Sequence, residues 1–316
     1  MNTQPNSSVL SFPDRGPWGL SRYRGNMTGH LYQHLVRLLK PRTFVDPMAG
    51  SGSGPHAVAE LGVQAWGLDL NPDFPQLARG AQQAGAVLKG GFNILRDSIA
   101  DAVGQRVDLN LSHPPYDGMV LYSGQQWGSA HPDDLSRCAD EHDFLAKLQQ
   151  ALFNQRDATK PGGVYGTIIG DWRRNGQYSS YQAELIARMP RELRSVLIKV
   201  QHNHMSSRQS YGHMRFAPIE HEYVLLFERQ GDSVYLMLAD VSNRMTKALD
   251  ATWRSGLRHA LTRLGGQATL QQLYDVLGDH PRAQGREHWK AKVRQELQKH
   301  SEFANLERGV WALTAA

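Results

Sequence analysis

Residues 30–229 alternate short apolar runs with amphipathic segments. Leucines recur at helical spacing across 30–40, and Pro41 ends that segment. Runs that suit buried strands fall at 43–45, 64–70, 107–111, 164–169, 195–200 and 222–227, with further helical segments at 55–61 and 144–153. This alternation predicts an α/β fold with a doubly wound, Rossmann-like sheet of parallel strands. Residues 1–30, rich in Gly, Pro and Asn, are expected to form an ordered arm without helix or strand.

The pattern changes after residue 231. One more strand is expected at 234–239, and the chain then becomes helical. The expected helices are 243–264, 268–277 and 285–299, followed by short extended segments at 303–306 and 309–313. Three helices and a closing hairpin predict a small winged-helix domain. We place the domain boundary near 240, which separates domain 1–240 from domain 241–316.

Charge is uneven along the chain. The net charge of the 316 residues is +5, and residues 241–316 hold 12 Lys/Arg against 7 Asp/Glu, so this segment carries the whole excess. A basic domain favours a polyanionic partner. The sequence has no apolar run of the roughly 18 residues that cross a membrane, and its N-terminus lacks a secretory pattern. Its one cysteine, Cys138, excludes a disulfide framework, so we expect a cytoplasmic protein.

A glycine-rich turn follows the first predicted strand, with the sequence Asp46-Pro47-Met48-Ala49-Gly50-Ser51-Gly52-Ser53. Glycines between a strand and a helix let the backbone approach a ligand closely. No Gly-Lys-Ser/Thr follows, which excludes a Walker phosphate loop. The next predicted strand ends in Asp69, at the spacing of a carboxylate that accepts ribose hydroxyls. These features alone fit NAD and S-adenosylmethionine equally.

A proline-rich segment, Ser112-His113-Pro114-Pro115-Tyr116, ends a later strand at the same edge of the sheet. Two prolines remove two N–H donors, so backbone carbonyls face an approaching amine as acceptors. Tyr116 offers a ring on which a base can stack. A turn with a core tyrosine is the alternative, but the position behind the glycine turn and Asp69 favours a catalytic role.

These segments together resemble the amino-methylating (N6-adenine or N4-cytosine) DNA methyltransferases. The glycine turn is similar to their DP-x-x-GSG cofactor motif, and 112–116 to their catalytic motif, Asp, Asn or Ser before Pro-Pro-Tyr. Flanking similarities lie at 23–26, 160–163, 170–173 and 220–227, so the resemblance spans about 12–229. The motif order resembles the gamma arrangement and implies a class I methyltransferase sheet. His113, in place of Asp, Asn or Ser, removes the usual distinction between adenine and cytosine.

The resemblance implies roles for individual residues. Cofactor-binding roles fall to Arg24, Asn26, Thr28, Asp46, Pro47, Met48, Gly50, Gly52, Asp69, and Asn93 or Asp97; catalytic roles fall to His113, Pro114, Pro115 and Tyr116. The cofactor would be S-adenosyl-L-methionine, and the target base would be flipped out of double-stranded DNA. Adenine N6 is the preferred target. The resemblance leaves open whether the protein forms a homodimer and whether it has a restriction endonuclease partner.

Two further segments are candidates for contact with nucleic acid. The loop 201–215 carries Arg208 and Arg215, and its histidines lack the acidic or thiol partners of a metal site. The segment 286–299 spaces its apolar residues for a core face, which leaves Arg286, Lys290, Lys292 and Arg294 outside. We interpret both as DNA-binding, against the alternative of solvated surface.

Other methylation chemistries and substrates place different demands on the sequence. Carbon-5 cytosine methylation needs a cysteine nucleophile, usually after proline, whereas Cys138 follows Arg137. Cytosine N4 of DNA is the first alternative target, then an RNA base or a protein amide. The last alternative is a DNA-binding regulator without catalysis.

Overall fold

The computed structural model describes residues 7–174, 176–202, 216–231, 253–278, 283 and 287–314. The chain divides into two compact units, 1–234 and 235–316. The predicted strand at 234–239, the boundary near 240 and the first part of the predicted helix 243–264 lie outside the described residues.

Unit 1 contains ten strands and seven helices in its described part. The strands are β1 (Val9–Ser11), β2 (Thr43–Asp46), β3 (Gln64–Leu68), β4 (Val87–Lys89), β5 (Val107–Ser112), β6 (Thr159–Ile169), β7 (Trp172–Arg174), β8 (Gln177–Ser179), β9 (Leu193–Val200) and β10 (His221–Glu228). The helices are α1 (Gly29–Leu39), α2 (Ser53–Ala59), α3 (Phe74–Leu77), α4 (Arg79–Gln83), α5 (Ile99–Val103), α6 (Glu141–Asp157) and α7 (Tyr181–Arg188).

Eight of these strands form one sheet in the order β1-β9-β10-β6-β5-β2-β3-β4. Strands β4, β3, β2, β5 and β6 pair in parallel, as the alternation of strands and helices predicted. The prediction of an all-parallel sheet is wrong at β10, which runs antiparallel to both β6 and β9. The Rossmann-like α/β class, with the mostly parallel sheet expected of a class I methyltransferase, is confirmed.

The arm before α1 is not free of regular structure. Residues 9–11 form β1, which pairs in parallel with β9 and buries Leu10. The composition of 1–30 concealed this strand because it is only three residues long. Thr28 then caps α1, its Oγ1 accepting from the His30 N–H at 3.3 Å, and the helix ends at Lys40 in the left-handed conformation.

The parallel strands bring their carboxyl ends to one edge of the sheet. Asp46 ends β2, Asp69 comes just after β3, and His113 comes just after β5, which lies on the other side of β2. Ligands of open α/β sheets bind at this edge. The order of the strands therefore places the three motifs beside one another.

Unit 2 has its own small core and sheet. Its elements are α8 (Trp253–Arg263), β11 (Gln267–Thr269), α9 (Leu270–Leu277), α10 (Trp289–Lys299), β12 (Phe303–Glu307) and β13 (Val310–Leu313). The strands pair antiparallel in the order β11-β13-β12. Leu257, Leu273, Val293 and Leu297 are buried between the helices and the sheet. The start of the predicted helix 268–277 is wrong, because 267–269 is a strand whose Thr269 caps α9.

Among the described residues, no helix has the length and apolar character needed to span a membrane.

Candidate active site

One cleft lies at the carboxyl edge of the sheet in unit 1. Its walls come from the arm before α1, the turns after β2 and β3, the segment 92–94, the turn after β5 and the loop 117–137. The residues with side-chain chemistry among them are Tyr23, Asn26, Tyr32, Asp46, Met48, Ser51, Ser53, Asp69, Asn93, His113, Tyr122, Trp127, Asp133 and Asp134. The cofactor and catalytic motifs thus share one cleft.

The glycine turn needs its glycines. Gly50 has φ +57° and Gly52 has φ +82°, conformations that residues with a Cβ rarely adopt. A Cβ on Gly52 would also lie 2.6 Å from the Ala78 Cβ. Gly50 lines the cleft, and Gly52 begins α2 behind it. Both glycines therefore allow the backbone of the turn to pass close to the cleft.

Asp69 is fixed by two backbone amides. The Gly50 N–H donates to Oδ2 at 2.7 Å, and the Asn71 N–H donates to Oδ1 at 2.9 Å. Burial raises the pKa of this carboxyl to about 6, against the lowering effect of the two hydrogen bonds. Each oxygen of the ionised group can accept a further bond, so Asp69 suits a hydroxyl-bearing ligand in the cleft.

Asp46 lies deeper, at the end of β2. Its Oδ1 accepts from the Met48 N–H at 3.1 Å, and its Oδ2 accepts from the Tyr32 hydroxyl at 3.2 Å. Burial raises the pKa of Asp46 to about 7. With Asp69, Asp133 and Asp134, this makes four carboxyl groups around the cleft, whereas no Lys or Arg lines it among the described residues. Asp133 is paired with Arg96 outside the cleft wall, so the other three carboxyls, when ionised, are what makes the cleft favour a ligand with positive charge.

Asn93 and Asp97 occupy different places. Asn93 lines the cleft, and its Nδ2 donates to Asp133 Oδ2 at 2.8 Å. Asp97 accepts the Asn93 N–H at 2.8 Å, so it holds the turn on which Asn93 sits. Of these two candidates for an adenine contact, Asn93 is the one at the cleft wall.

The arm closes over the glycine turn. Asn26 lines the cleft and hydrogen-bonds the carbonyl of Leu20 and the hydroxyl of Ser51. Arg24 is exposed, and its carbonyl accepts from the Tyr122 hydroxyl at 3.2 Å. Thr28 lies at the start of α1, where it caps that helix. Of the three arm residues, only Asn26 contributes to the cleft wall.

The proline-rich segment turns along the cleft after β5. His113 and Pro115 line the cleft, whereas Pro114 is buried. The Tyr116 ring packs over Gly170, where an added Cβ would lie 3.4 Å from it. The Tyr116 hydroxyl donates to Glu222 Oε1 at 2.8 Å and lies 3.0 Å from His113 Nε2. The apolar run at 222–227 predicts the strand that holds Glu222, but no local pattern gives Glu222 a role.

Sequence reasoning also missed the loop 117–137. Tyr122 and Trp127 line the cleft, and the rings of Tyr23 and Tyr122 lie 5.8 Å apart. Asp134 holds the loop by accepting from the N–H and hydroxyl of both Ser123 and Ser136, at 2.6–2.8 Å. The available signal was two aromatic residues shortly after the catalytic motif.

Cys138 does not suit nucleophilic chemistry. Burial raises the pKa of its thiol to about 12, so the sulfur stays protonated at neutral pH. The thiol donates to the Leu135 carbonyl at 3.3 Å.

The candidate DNA-binding residues fall into two groups. Arg208, Arg215 and Arg286 lie outside the described residues. Lys290, Lys292 and Arg294 are exposed on α10, opposite the buried Val293 and Leu297. Lys290 Nζ lies over the Tyr274 ring at 5.2 Å, Arg294 Nη1 donates to the Tyr274 hydroxyl at 2.9 Å, and Lys292 pairs with Glu296 at 2.9 Å.

Comparison with known families and curated proteins gives no match. Solved structures give distant likenesses. TrmN from Thermus thermophilus is 18% identical with a TM-score of 0.43, over 65% of this chain and 50% of that one, so this chain spans half the length of TrmN. The N-methyltransferase NodS from Bradyrhizobium japonicum, in complex with S-adenosyl-L-homocysteine, is 14% identical with a TM-score of 0.41, over 67% and 91%. An rRNA methylase from Streptococcus thermophilus is 12% identical with a TM-score of 0.38, over 64% and 96%. With sequence identities of 12–18% and TM-scores of 0.38–0.43, these likenesses assign no function to this chain.

Proposed function

We propose that this chain is an S-adenosylmethionine-dependent methyltransferase that modifies the exocyclic amine of a base in double-stranded DNA, with adenine N6 preferred. The observation that carries the proposal is the single cleft shared by the glycine turn, Asp69 and His113. Each comes from a different strand end, and together they offer a cofactor site next to a group of hydrogen-bond acceptors.

The residues of the cleft fit S-adenosylmethionine. Asp69 is held with acceptor capacity toward the cleft for ribose hydroxyls. Asn93, with donors and an acceptor, suits an adenine edge. Gly50 leaves room at the turn, and Asp46 with its neighbouring carboxyls favours a cation. When bound, S-adenosylmethionine supplies an electrophilic methyl group on a positively charged sulfonium.

The proline-rich segment suits the recognition of an amine. An exocyclic amine carries two hydrogens and must keep its lone pair free to attack. The carbonyl of Pro114 accepts one hydrogen in this proposal, and His113 accepts the other. Holding the reacting groups in line at about 3 Å supplies much of the acceleration. No covalent bond to the protein is needed, in keeping with the protonated thiol of Cys138.

Unit 2 supports a DNA substrate. The helix–strand–helix–helix–hairpin order of its described residues is consistent with a winged helix, in which α10 would enter the major groove. Lys290, Lys292 and Arg294 are exposed on α10, and the tip of the hairpin holds Arg308. A base must leave the duplex before its amine can reach a cleft of this kind.

A substitution in the proline-rich segment tests whether the protein is an amino-methyltransferase. In the Tyr116→Ala variant we expect methyl transfer to DNA to fall at least about 100-fold, since stacking and base placement are lost. Cofactor binding should stay within a fewfold, because Tyr116 does not line the cleft. Methyl transfer from the radiolabelled cofactor and calorimetric titration measure the two quantities.

Full methyl transfer by the Tyr116→Ala variant would contradict the catalytic role proposed for residues 112–116. Transfer to tRNA or to a protein, with none to DNA, would leave the chemistry but replace the substrate. Absence of cofactor binding in the unaltered protein would favour a DNA-binding regulator instead.

A further inference from the structure

Glu222 and Lys199 lie behind the catalytic segment, facing each other across the antiparallel ladder of β10 and β9. Glu222 is only 4% exposed, and its Oε2 lies 3.0 Å from Lys199 Nζ. Its other oxygen, Oε1, accepts from the Tyr116 hydroxyl. Neither residue of the pair lines the cleft. Any effect of the pair on a bound ligand must therefore pass through the residues it touches.

Glu222 is an ionised acceptor despite its burial. Burial alone would raise its pKa, but the Lys199 ammonium and the hydrogen bonds from His113 and Tyr116 hold the pKa well below its usual range. An ionised carboxylate has no proton to give. Every hydrogen bond at Glu222 must therefore be donated to it.

This requirement sets the direction of the neighbouring bonds. The Tyr116 hydroxyl has one proton, which it donates to Glu222 Oε1 at 2.8 Å. The Tyr116 oxygen can then only accept from His113 Nε2, which lies 3.0 Å away. Nε2 must carry the hydrogen. A neutral imidazole has one N–H, so Nδ1 is left as a bare acceptor.

In this tautomer Nδ1 is placed where it can accept a hydrogen bond from a ligand in the cleft. Nδ1 is bonded to Cγ, as is Oδ1 of an aspartate or asparagine, so it can replace that oxygen at the same distance from the backbone. His113 lines the cleft, and its Nδ1 makes no hydrogen bond within the described part of the chain. His113 Nε2 also lies 3.4 Å from Glu222 Oε1, an acceptor that likewise requires a hydrogen on Nε2. We propose that Glu222, with Lys199, acts directly and through Tyr116 to fix the Nε2–H tautomer of His113, so that Nδ1 accepts a hydrogen of the target amine. This inference rests on the proposed function; Glu222 and Lys199 are positioning residues in it.

The Glu222→Gln variant should reverse the chain of hydrogen bonds. The Lys199 ammonium would attract the amide oxygen, which turns the amide NH2 toward Tyr116. The Tyr116 oxygen would then accept from this NH2 and donate its proton to His113 Nε2. The hydrogen of His113 would move to Nδ1, where a donor would face the hydrogens of the amine.

Nitrogen-15 NMR measures the tautomer directly. Long-range proton–nitrogen spectra of protein labelled at histidine, recorded in alkaline buffer, separate the two neutral tautomers of each of the 14 histidines from the imidazolium form. The signal that is lost in the His113→Asn variant identifies His113. We expect Nε2–H in the unaltered protein and Nδ1–H in Glu222→Gln. An Nδ1–H signal in the unaltered protein would overturn the inference, whether or not Glu222→Gln folds.

Activity completes the test. We expect kcat to fall about 10- to 100-fold in Glu222→Gln, the cost of an unpaired polar contact, with cofactor affinity unchanged. The Glu228→Gln variant is the matched control, because it makes the same charge change on β10 at a residue that pairs with Arg194. In His113→Asn, whose amide can turn its oxygen to the amine unaided, adding Glu222→Gln should cost little.

An equal loss in both backgrounds would mean that Glu222 does not act through His113, and the inference would fail. A protein with the expected tautomer but no methyl transfer to any nucleic acid or protein would instead contradict the proposed function. The two failures are therefore distinguishable.

Discussion

At the scale of single residues, burial decides what the acidic groups of the cleft can do. Asp69 is nearly buried, and its two backbone hydrogen bonds only partly offset the effect of burial on its pKa. The sequence placed this residue correctly at a strand end. It could not predict the pKa, because burial depends on how the arm and the loop 117–137 close over the cleft.

We expect the Asp69→Asn variant to bind S-adenosylmethionine about 10- to 100-fold more weakly, since hydrogen bonds to charged groups contribute roughly 1.5–3 kcal/mol. The Asp73→Asn variant is the control, because Asp73 is exposed and outside the cleft wall. Isothermal titration calorimetry measures both. Equal affinities in the two variants would remove Asp69 from the cofactor site.

The same residue predicts a pH dependence. The pKa of Asp69 is about 6, above its ordinary value, so the carboxyl takes up a proton as pH falls through about 6. Because Asp46 in the same cleft has a pKa of about 7, cofactor affinity should be full only well above about pH 7 and should decline toward about pH 5 as both carboxyls take up protons. Titrations across this window should show the decline in the unaltered protein and a smaller one in Asp69→Asn.

At the scale of elements, hydrophobic pattern located the long strands of the sheet and helices α1, α2 and α6, whereas most elements of three to five residues, and the eight-residue helix α7, escaped it. β1 has three residues within an arm rich in Gly and Pro, and its pairing with β9 is a contact between distant parts of the chain. The link from Tyr116 to Glu222 joins residues 106 positions apart. No local pattern can reveal such a partner, because the antiparallel placement of β10 creates it.

The glycine turn after β2 gives an element-scale prediction. Gly52→Ala should destabilise the fold by about 1–3 kcal/mol, since a left-handed conformation is costly for alanine and the new Cβ would meet Ala78. Gly62→Ala is the matched control, because Gly62 also has positive φ, +75°, but open space around its added Cβ. Urea unfolding measures both.

A larger loss in Gly52→Ala than in Gly62→Ala would show the effect of crowding at the turn. Equal losses would mean that only backbone strain matters there. We also expect weaker cofactor binding only in Gly52→Ala, because its turn continues from the cleft wall at Gly50.

At the scale of the whole molecule, the chain combines a nearly balanced unit that holds the cleft with a second unit that holds +4 of the net charge of +5. The sequence predicts a boundary near 240 from the change of hydrophobic pattern after residue 231, and the exact boundary stays a prediction. In unit 2, the apolar spacing of α10 also predicted which face is buried, as Val293 and Leu297 show.

DNA binding should depend on salt through the exposed face of α10. Replacing Lys290 and Arg294 with glutamine should weaken binding and reduce the slope of log affinity against log salt by about 2, since each lost phosphate contact removes about one. The same replacement of Arg254 and Arg258, which lie on α8 and pair with Glu302, is the control. Fluorescence anisotropy at several salt concentrations measures the slopes, and equal slopes would contradict the role of α10.

The central claim is amino-methylation of a DNA base, and mass analysis of nucleosides tests it most directly. Duplex DNA of mixed sequence is incubated with the protein and S-adenosylmethionine, digested to nucleosides and compared with a reaction that lacks the protein. The account predicts N6-methyladenine as the product. N4-methylcytosine would keep the mechanism and change the base, whereas 5-methylcytosine, or unmodified DNA beside a methylated RNA or protein, would contradict the claim.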